Sequence, residues 1–202
     1  MPTVTASPTA VSVIPDAGTV TWDNVNNALL SDGAFTTATA SVPHLTTITS
    51  KAIKAVGFDF SEIGGSDTIN SITVVLKRKS DRACTNATVA YLVESGTVTG
   101  IFNESLSPYW GTSSSEERLT KTLSLPSASV LKDSTSGIAI STTYYDADGA
   151  DVTASIDSIQ LEVSYASVTR ESVSFSGLVG LSPLFLGSVG LRPYMLGRVG
   201  LK

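Results

Sequence analysis

The chain of 202 residues predicts an all-β protein: a single β-sandwich of jelly-roll type with an extended C-terminal tail of ten-residue, Gly- and Pro-containing apolar repeats. Three observations carry this. Ser and Thr make up about a quarter of the chain, and Val, Ile and Thr are plentiful where helix-forming runs are missing, a composition suited to pleated, half-buried surfaces. Apolar residues alternate with polar ones in one short run after another, at the period of two that marks a strand. From Gly177 onward that alternation gives way to a repeat.

Residues 1–17 read as an extended arm, either an edge strand or a lead-in. Val11, Val13 and Ile14 are its apolar positions and Pro8 and Pro15 its punctuation, since proline is confined to sheet edges. The body spans 18–166. It opens with strand-like runs at 18–22 and 34–40 around an Asn-rich corner, where Asp32-Gly33 reverses the chain, because Gly reaches positive φ without steric cost. Trp22, Phe35 and Leu29 or Leu30 supply the apolar side of that corner.

Residues 52–60 then place Val56, Phe58 and Phe60 on one face, and 69–79 set Ile72, Val74 and Leu76 against Thr73, Val75 and Lys77. Strands are expected again at 87–93 and 97–102. Residues 103–116 read as a loop carrying Tyr109 and Trp110. Further strands fall at 119–125 and 138–145, with one helical turn in 127–133 between them. The last strand, 154–165, sets Ile159, Leu161, Val163 and Tyr165 opposite Ser158, Gln160, Glu162 and Ser164, one face for the core and one for water. About eight short strands imply a sandwich.

After a linker at 167–176, Gly177-Leu178-Val179-Gly180-Leu181-Ser182-Pro183-Leu184-Phe185-Leu186 is echoed by 187–196, and a third copy begins at Gly197. Recurrent Gly and Pro exclude a helix, and the interruptions exclude a membrane span. One unit cannot bury its own apolar groups. Leu178, Val179, Leu181, Leu184, Phe185, Leu186, Val189, Leu191, Tyr194, Met195, Leu196, Val199 and Leu201 are therefore expected to dock, on a partner or on further copies in a homo-oligomer.

The net charge of −5 is uneven: residues 1–171 carry 10 Lys and Arg against 18 Asp and Glu, and the remainder has three cations and no acid. No basic stripe suited to nucleic acid is present. The densest run, Lys77-Arg78-Lys79 with Arg82, reads as a solvated strand end. Cys84 and His44 each stand alone, which excludes a disulfide framework and a Cys- or His-rich metal cluster. No catalytic constellation is present, so no enzyme is expected. The N-terminal residues lack the basic and apolar regions of a secretory signal, so the sequons at Asn86 and Asn103 are expected to stay unmodified.

Two kinds of site are candidates from the residues themselves. Asp146, Asp148 and Asp151, spaced around Gly149, offer carboxylates to calcium in the manner of the start of an EF-hand loop, although Asp-Gly between strands is first a hairpin signal. Tyr109 and Trp110 form a loop pair of rings of the kind that contacts a glycan.

Trp22-x-Asn24-x-x-Asn27-Ala28-x-x-x-Asp32-Gly33-x-Phe35-x-Thr37 resembles the opening signature of a jelly-roll module found in tailed-phage structural proteins and bacterial surface proteins. The resemblance continues through Gly57-Phe58-Asp59-Phe60, Ile69-x-x-Ile72-x-Val74 and Ala154-x-x-Asp157-x-x-x-x-x-Val163-x-Tyr165, over about residues 18–166. It implies a virion module without enzymatic activity. More distantly, Ala28-x-x-x-Asp32-Gly33-x-x-x-Thr37 is similar to the calcium loop of discoidin-like, galactose-binding folds, which implies Asp32, with Glu162, as ligands of a structural calcium. No cofactor is otherwise required. The expectation is a structural or accessory virion protein, a capsid decoration or cement or a neck or tail component, assembled with other virion proteins and anchored by its repeats. The alternative is a carbohydrate-binding adhesin module for host surface glycans.

Overall fold

The computed structural model describes residues 1–82, 85–104, 110–121, 124–146 and 149–167, with the backbone alone at 85–89, 100–104, 121 and 146. The tail repeats of 177–202, most of the expected linker, and Tyr109 and Asp148 lie outside the described residues, as does the side chain of Asp146. Along the chain come β1 (Thr3–Ala6), β2 (Ala10–Ile14), a 3-10 turn (Val25–Ala28), β3 (Thr36–Ser41), β4 (Thr46–Thr49), β5 (Ala52–Val56) and β6 (Thr68–Ser80). They are followed by β7 (Thr85–Glu94), β8 (Thr97–Glu104), β9 (Ser115–Lys121), a one-turn helix α1 (Ala128–Leu131), β10 (Gly137–Asp146) and β11 (Asp151–Ala166).

These strands make the expected two-sheet antiparallel sandwich. The first sheet runs β1-β11-β6-β9 and the second β2-β5-β10-β7-β8. Two long strands organise them. β11 pairs with β6 along its length, and its other edge takes β3 near its start and β1 near its end. β10 likewise pairs with β7 on one edge and with β5 and then β4 on the other. Among the described residues no helix is long and apolar enough to cross a membrane.

The N-terminal arm belongs to the sandwich. β1 joins the first sheet and β2 the second, so Ser7-Pro8-Thr9 steps from one layer to the other. The run at 18–22 is no strand; Val20 makes an isolated pairing with Ser50, and Asp23, just past the run, one with Thr37. Gly18 explains the departure. Its φ is +135°, and a Cβ there would stand 2.3 Å from the Ser50 carbonyl oxygen, so this stretch crosses close against a neighbouring backbone instead of joining a ladder. β9 also begins earlier than the sequence indicates, because Glu116 and Glu117 pair with Lys77 and Leu76 in the ladder.

The core follows the alternation. Ile72, Val74 and Leu76 of β6, Ile138, Ile140 and Tyr144 of β10, and Ile159, Leu161 and Val163 of β11 are buried in one cluster. In β11 the apolar positions change parity, from Ala154 and Ile156 to Ile159 and Leu161. The ladder slips between Ile156 and Ser158, so Asp157 is the extra residue of a bulge. That one insertion keeps both halves of the strand facing the core.

The basic run is not the solvated strand end expected. Arg78 is 4% exposed; its Nε donates to Glu117 Oε2 at 2.6 Å, and its guanidinium lies 4.7 Å from the centre of the Trp110 ring. Lys77 pairs with Asp157, and Lys79 lies 4.0 Å from the Phe35 ring centre. A buried ion pair and two cation–π contacts bring polar residues into positions that composition assigns to solvent.

Trp22 is buried at 3% exposure and its Nε1 donates to the Lys51 carbonyl at 2.8 Å. Trp22→Ala is expected to cost about 3–5 kcal/mol, the cost of emptying a large core site. Urea unfolding measures it; a loss under about 1 kcal/mol would place the indole outside the core.

Candidate functional site

Two regions come into question, the Asn-rich corner and the outer face of the second sheet. The corner is held from within. Asn27 Nδ2 donates to the Phe35 carbonyl at 3.0 Å, and Thr36 Oγ1 to the Asp23 carbonyl at 2.8 Å. Asp32 Oδ1 accepts from the Ala34 amide at 2.9 Å, the local bond by which Asp stabilises a turn.

The corner is fastened to β11 by Asp157, which is fully buried. Its Oδ1 accepts from the Gly33 amide at 2.9 Å, and its Oδ2 accepts from Ser31 Oγ at 3.3 Å and lies 2.6 Å from Lys77 Nζ. Lys77 also donates to Ser31 Oγ at 3.0 Å. Burial pushes the Asp157 carboxyl up, but the bonds from Lys77, Gly33 and Ser31 outweigh it and hold the carboxyl below its ordinary value.

Asp32 and Glu162 are not brought together. Glu162 bonds Arg118 Nη2 at 2.5 Å. It stands five residues beyond Asp157 along β11, about 16 Å at the rise of a strand, whereas Asp32 adjoins the Gly33 that bonds Asp157. One ion cannot take both, which corrects the calcium pair expected from the sequence. The positive charge at this corner is the Lys77 ammonium. Asp151 is exposed at the start of β11, and among the described residues there is no group of three or more His, Cys, Asp or Glu that could hold a metal ion.

The rings weighed for a glycan also fall differently. Trp110 is fully buried beneath Arg78, so it is a core residue and the glycan contact expected of it is withdrawn. Tyr144 is buried and its hydroxyl donates to the Ala38 carbonyl at 3.0 Å; burial pushes its phenol up.

The ring that does face a groove is Tyr91, which sequence reading passed over. On β10 the core-facing residues are large, but Gly137, Ala139 and Ser141 point outward. Ala139 is in register with Lys54 of β5 on one side and with Tyr91 of β7 on the other. Ala52, Val93 and Ala139 are at most 1% exposed although they lie on the outer face, where Ile14, Ala17, Val56 and Tyr91 pack against them. The flanks therefore rise above a floor of small residues.

The result is a groove of two adjoining lobes. One, ≈ 430 Å³, is lined by Ile14, Asp16, Ala17, Ala52, Tyr91, Val98 and Ala139. The other, ≈ 330 Å³, has Ser12, Pro15, Lys54, Gly96 and Thr97 among its walls, and the two share Ile14 and Val98. The far wall is the β7–β8 hairpin, whose turn residues Ser95 and Gly96 both have positive φ, the geometry favoured in two-residue hairpins. That turn is pinned where it stands: the Ser95 amide donates to Ser136 Oγ at 3.1 Å and the Gly96 amide to the Thr135 carbonyl at 3.0 Å.

No family model matches the chain, and no curated protein matches it. Among solved structures, the chain is similar to a family 4 carbohydrate-binding module (CBM4), at 12% identity over 80% of this chain and 94% of that one, with a TM-score of 0.39. It is also similar to the CBM36-1 domain of a multidomain xylanase from the hindgut metagenome of Trinervitermes trinervoides. There the identity is 12%, over 83% of this chain and 100% of that one, with a TM-score of 0.31. Neither overlap is close enough to carry function across. The phage virion module expected from the sequence finds no support among these comparisons.

Asp157→Ala is expected to cost about 1–3 kcal/mol, by leaving the Gly33 amide and Lys77 without their acceptor. Because the folded carboxyl is depressed, its contribution is complete above the ordinary value of 3.8 and is lost as pH falls through the lower folded value. Denaturant midpoints of the native protein and the variant should therefore converge below about pH 4. A gap that persists unchanged to pH 2 would show that the carboxylate charge contributes nothing.

Proposed function

We propose that the sandwich is a non-catalytic glycan-binding module whose ligand lies in the groove across the second sheet. The observation that carries this reading is Tyr91 standing beside a floor of small side chains, with Asp16, Ser12 and Lys54 on the walls. Sugar rings present a flat apolar face and a rim of hydroxyls. An aromatic side chain on the wall of an apolar groove suits the face, and a few convergent polar groups suit the rim. Binding is the whole of the chemistry proposed. Display in several copies would turn modest affinity per groove into durable attachment through effective concentration.

Affinity electrophoresis and calorimetry of the full chain against a panel of soluble polysaccharides test this. At least one polysaccharide is expected to bind, and Tyr91→Ala should weaken it about tenfold or more while leaving the melting temperature within a few degrees, as for the loss of an aromatic anchor. A panel without binding, or a variant that binds as well as the native protein, would remove the groove from consideration.

A further inference from the structure

The charges of the groove are sorted between its two lobes. Asp16 lines the lobe that holds Tyr91, and Lys54 lines the other. Lys54 is half-buried. Several cations have partners: Lys77 has Asp157, Arg78 has Glu117, Arg118 has Glu162, and Lys132 donates to the Ile63 carbonyl, while the half-buried Lys51 has no side-chain partner among the described residues. Lys54 makes no hydrogen bond or ion pair with another described residue. Directly opposite it on β2 is Ser12, and Thr97 stands on the facing wall; these two hydroxyl residues line the lobe with Lys54, and no carboxylate does.

Ala139 separates Lys54 from Tyr91 by one strand on each side, which puts the two about 10 Å apart at the spacing of strands in a sheet. Two linked sugar rings bridge such a span. Resting on the glycan-binding reading, we infer that the groove takes an acidic polysaccharide, with one sugar ring against Tyr91 and an anionic group of the adjoining sugar on Lys54. The arrangement fixes which sugar carries the charge. An anion beside Asp16 meets a like charge, whereas at Lys54 it meets a compact point charge with three donors, able to take a carboxylate or a sulfate. The body as a whole is acidic, so retention of a polyanion requires a local cation and is not a general attraction.

The test compares binding of the full chain to polygalacturonate, to a sulfated galactan and to a neutral galactan at low and high salt. Native protein should bind one or both acidic polymers at least about tenfold more tightly than the neutral one, with the preference shrinking as salt rises. Lys54→Gln should abolish the preference, and Arg82→Gln, the same charge change at the far end of β6 in the other sheet, should leave it intact. Preference for carboxylate over sulfate, or the reverse, names the anion. Equal or tighter binding of the neutral polymer, or a Lys54→Gln variant that keeps the preference, overturns the inference while a loss with Tyr91→Ala still upholds the groove. Absence of binding to all three overturns the inference, and the glycan-binding reading falls with it only if the wider panel also shows no binding.

Discussion

The first half of β10 must be bulky on its inner face and small on its outer one, and both core and groove follow from that. Inward the strand presents Ile138, Ile140 and Tyr144, all fully buried, and these fill the space against β6 and β11. Outward its first half presents Gly137, Ala139 and Ser141, and its second half Thr143 and Tyr145. A Cβ on Gly137 would fall 2.1 Å from the Ala55 carbonyl oxygen and 3.0 Å from the Phe58 ring, so the close approach of β5 to β10 at this end admits glycine alone. With little bulk on the outer side of its first half, the strand becomes the floor between Lys54 on one flank and Tyr91 on the other. Core and groove are two faces of one strand.

The corner at 22–37 serves the fold. The side chains of Asn27, Ser31, Asp32 and Thr36 are spent within the corner and on the bulge of β11, and Lys77 supplies internally the positive charge that an ion would bring. Burying a carboxylate without partners would be costly; Asp157 has the Gly33 amide, the Ser31 hydroxyl and an ammonium around it. The same residue, as the inserted member of the bulge, corrects the facing of β11. The register depends on the extra residue at 157 and the corner on its side chain, so a substitution there loosens the corner and leaves the register in place.

Much of the sandwich was legible in the sequence because alternation reports directly on which face is buried. Ile72, Val74 and Leu76, and Ile159, Leu161 and Val163, lie where their period of two places them. Even the bulge leaves a trace, in the change of parity between Ile156 and Ile159. Other features were not legible for reasons that are physical. Arg78 looks like a surface cation until Glu117 and Trp110, distant in sequence, are folded around it. The groove was hidden because small outward residues such as Ala139 and Ser141 read as an ordinary wetted face, and Tyr91 as one residue of a strand. What signals a groove is small residues on a central strand flanked, in register, by larger ones on its neighbours, and register is tertiary information. The calcium pairing failed for a related reason: residues close to a common strand end in a pattern can be well separated along the strand itself.

The central claim is that ligand lies in the groove over the first half of β10. Amide chemical-shift mapping by NMR, with the full chain titrated by an oligosaccharide cut from a polysaccharide that it retains, tests this most directly. The account predicts that shifts concentrate at residues 12–17, 52–56, 91–98 and 137–141, with the corner undisturbed. Shifts concentrated at 22–37 and around Asp157, or on the outer face of β6 and β11, would contradict it.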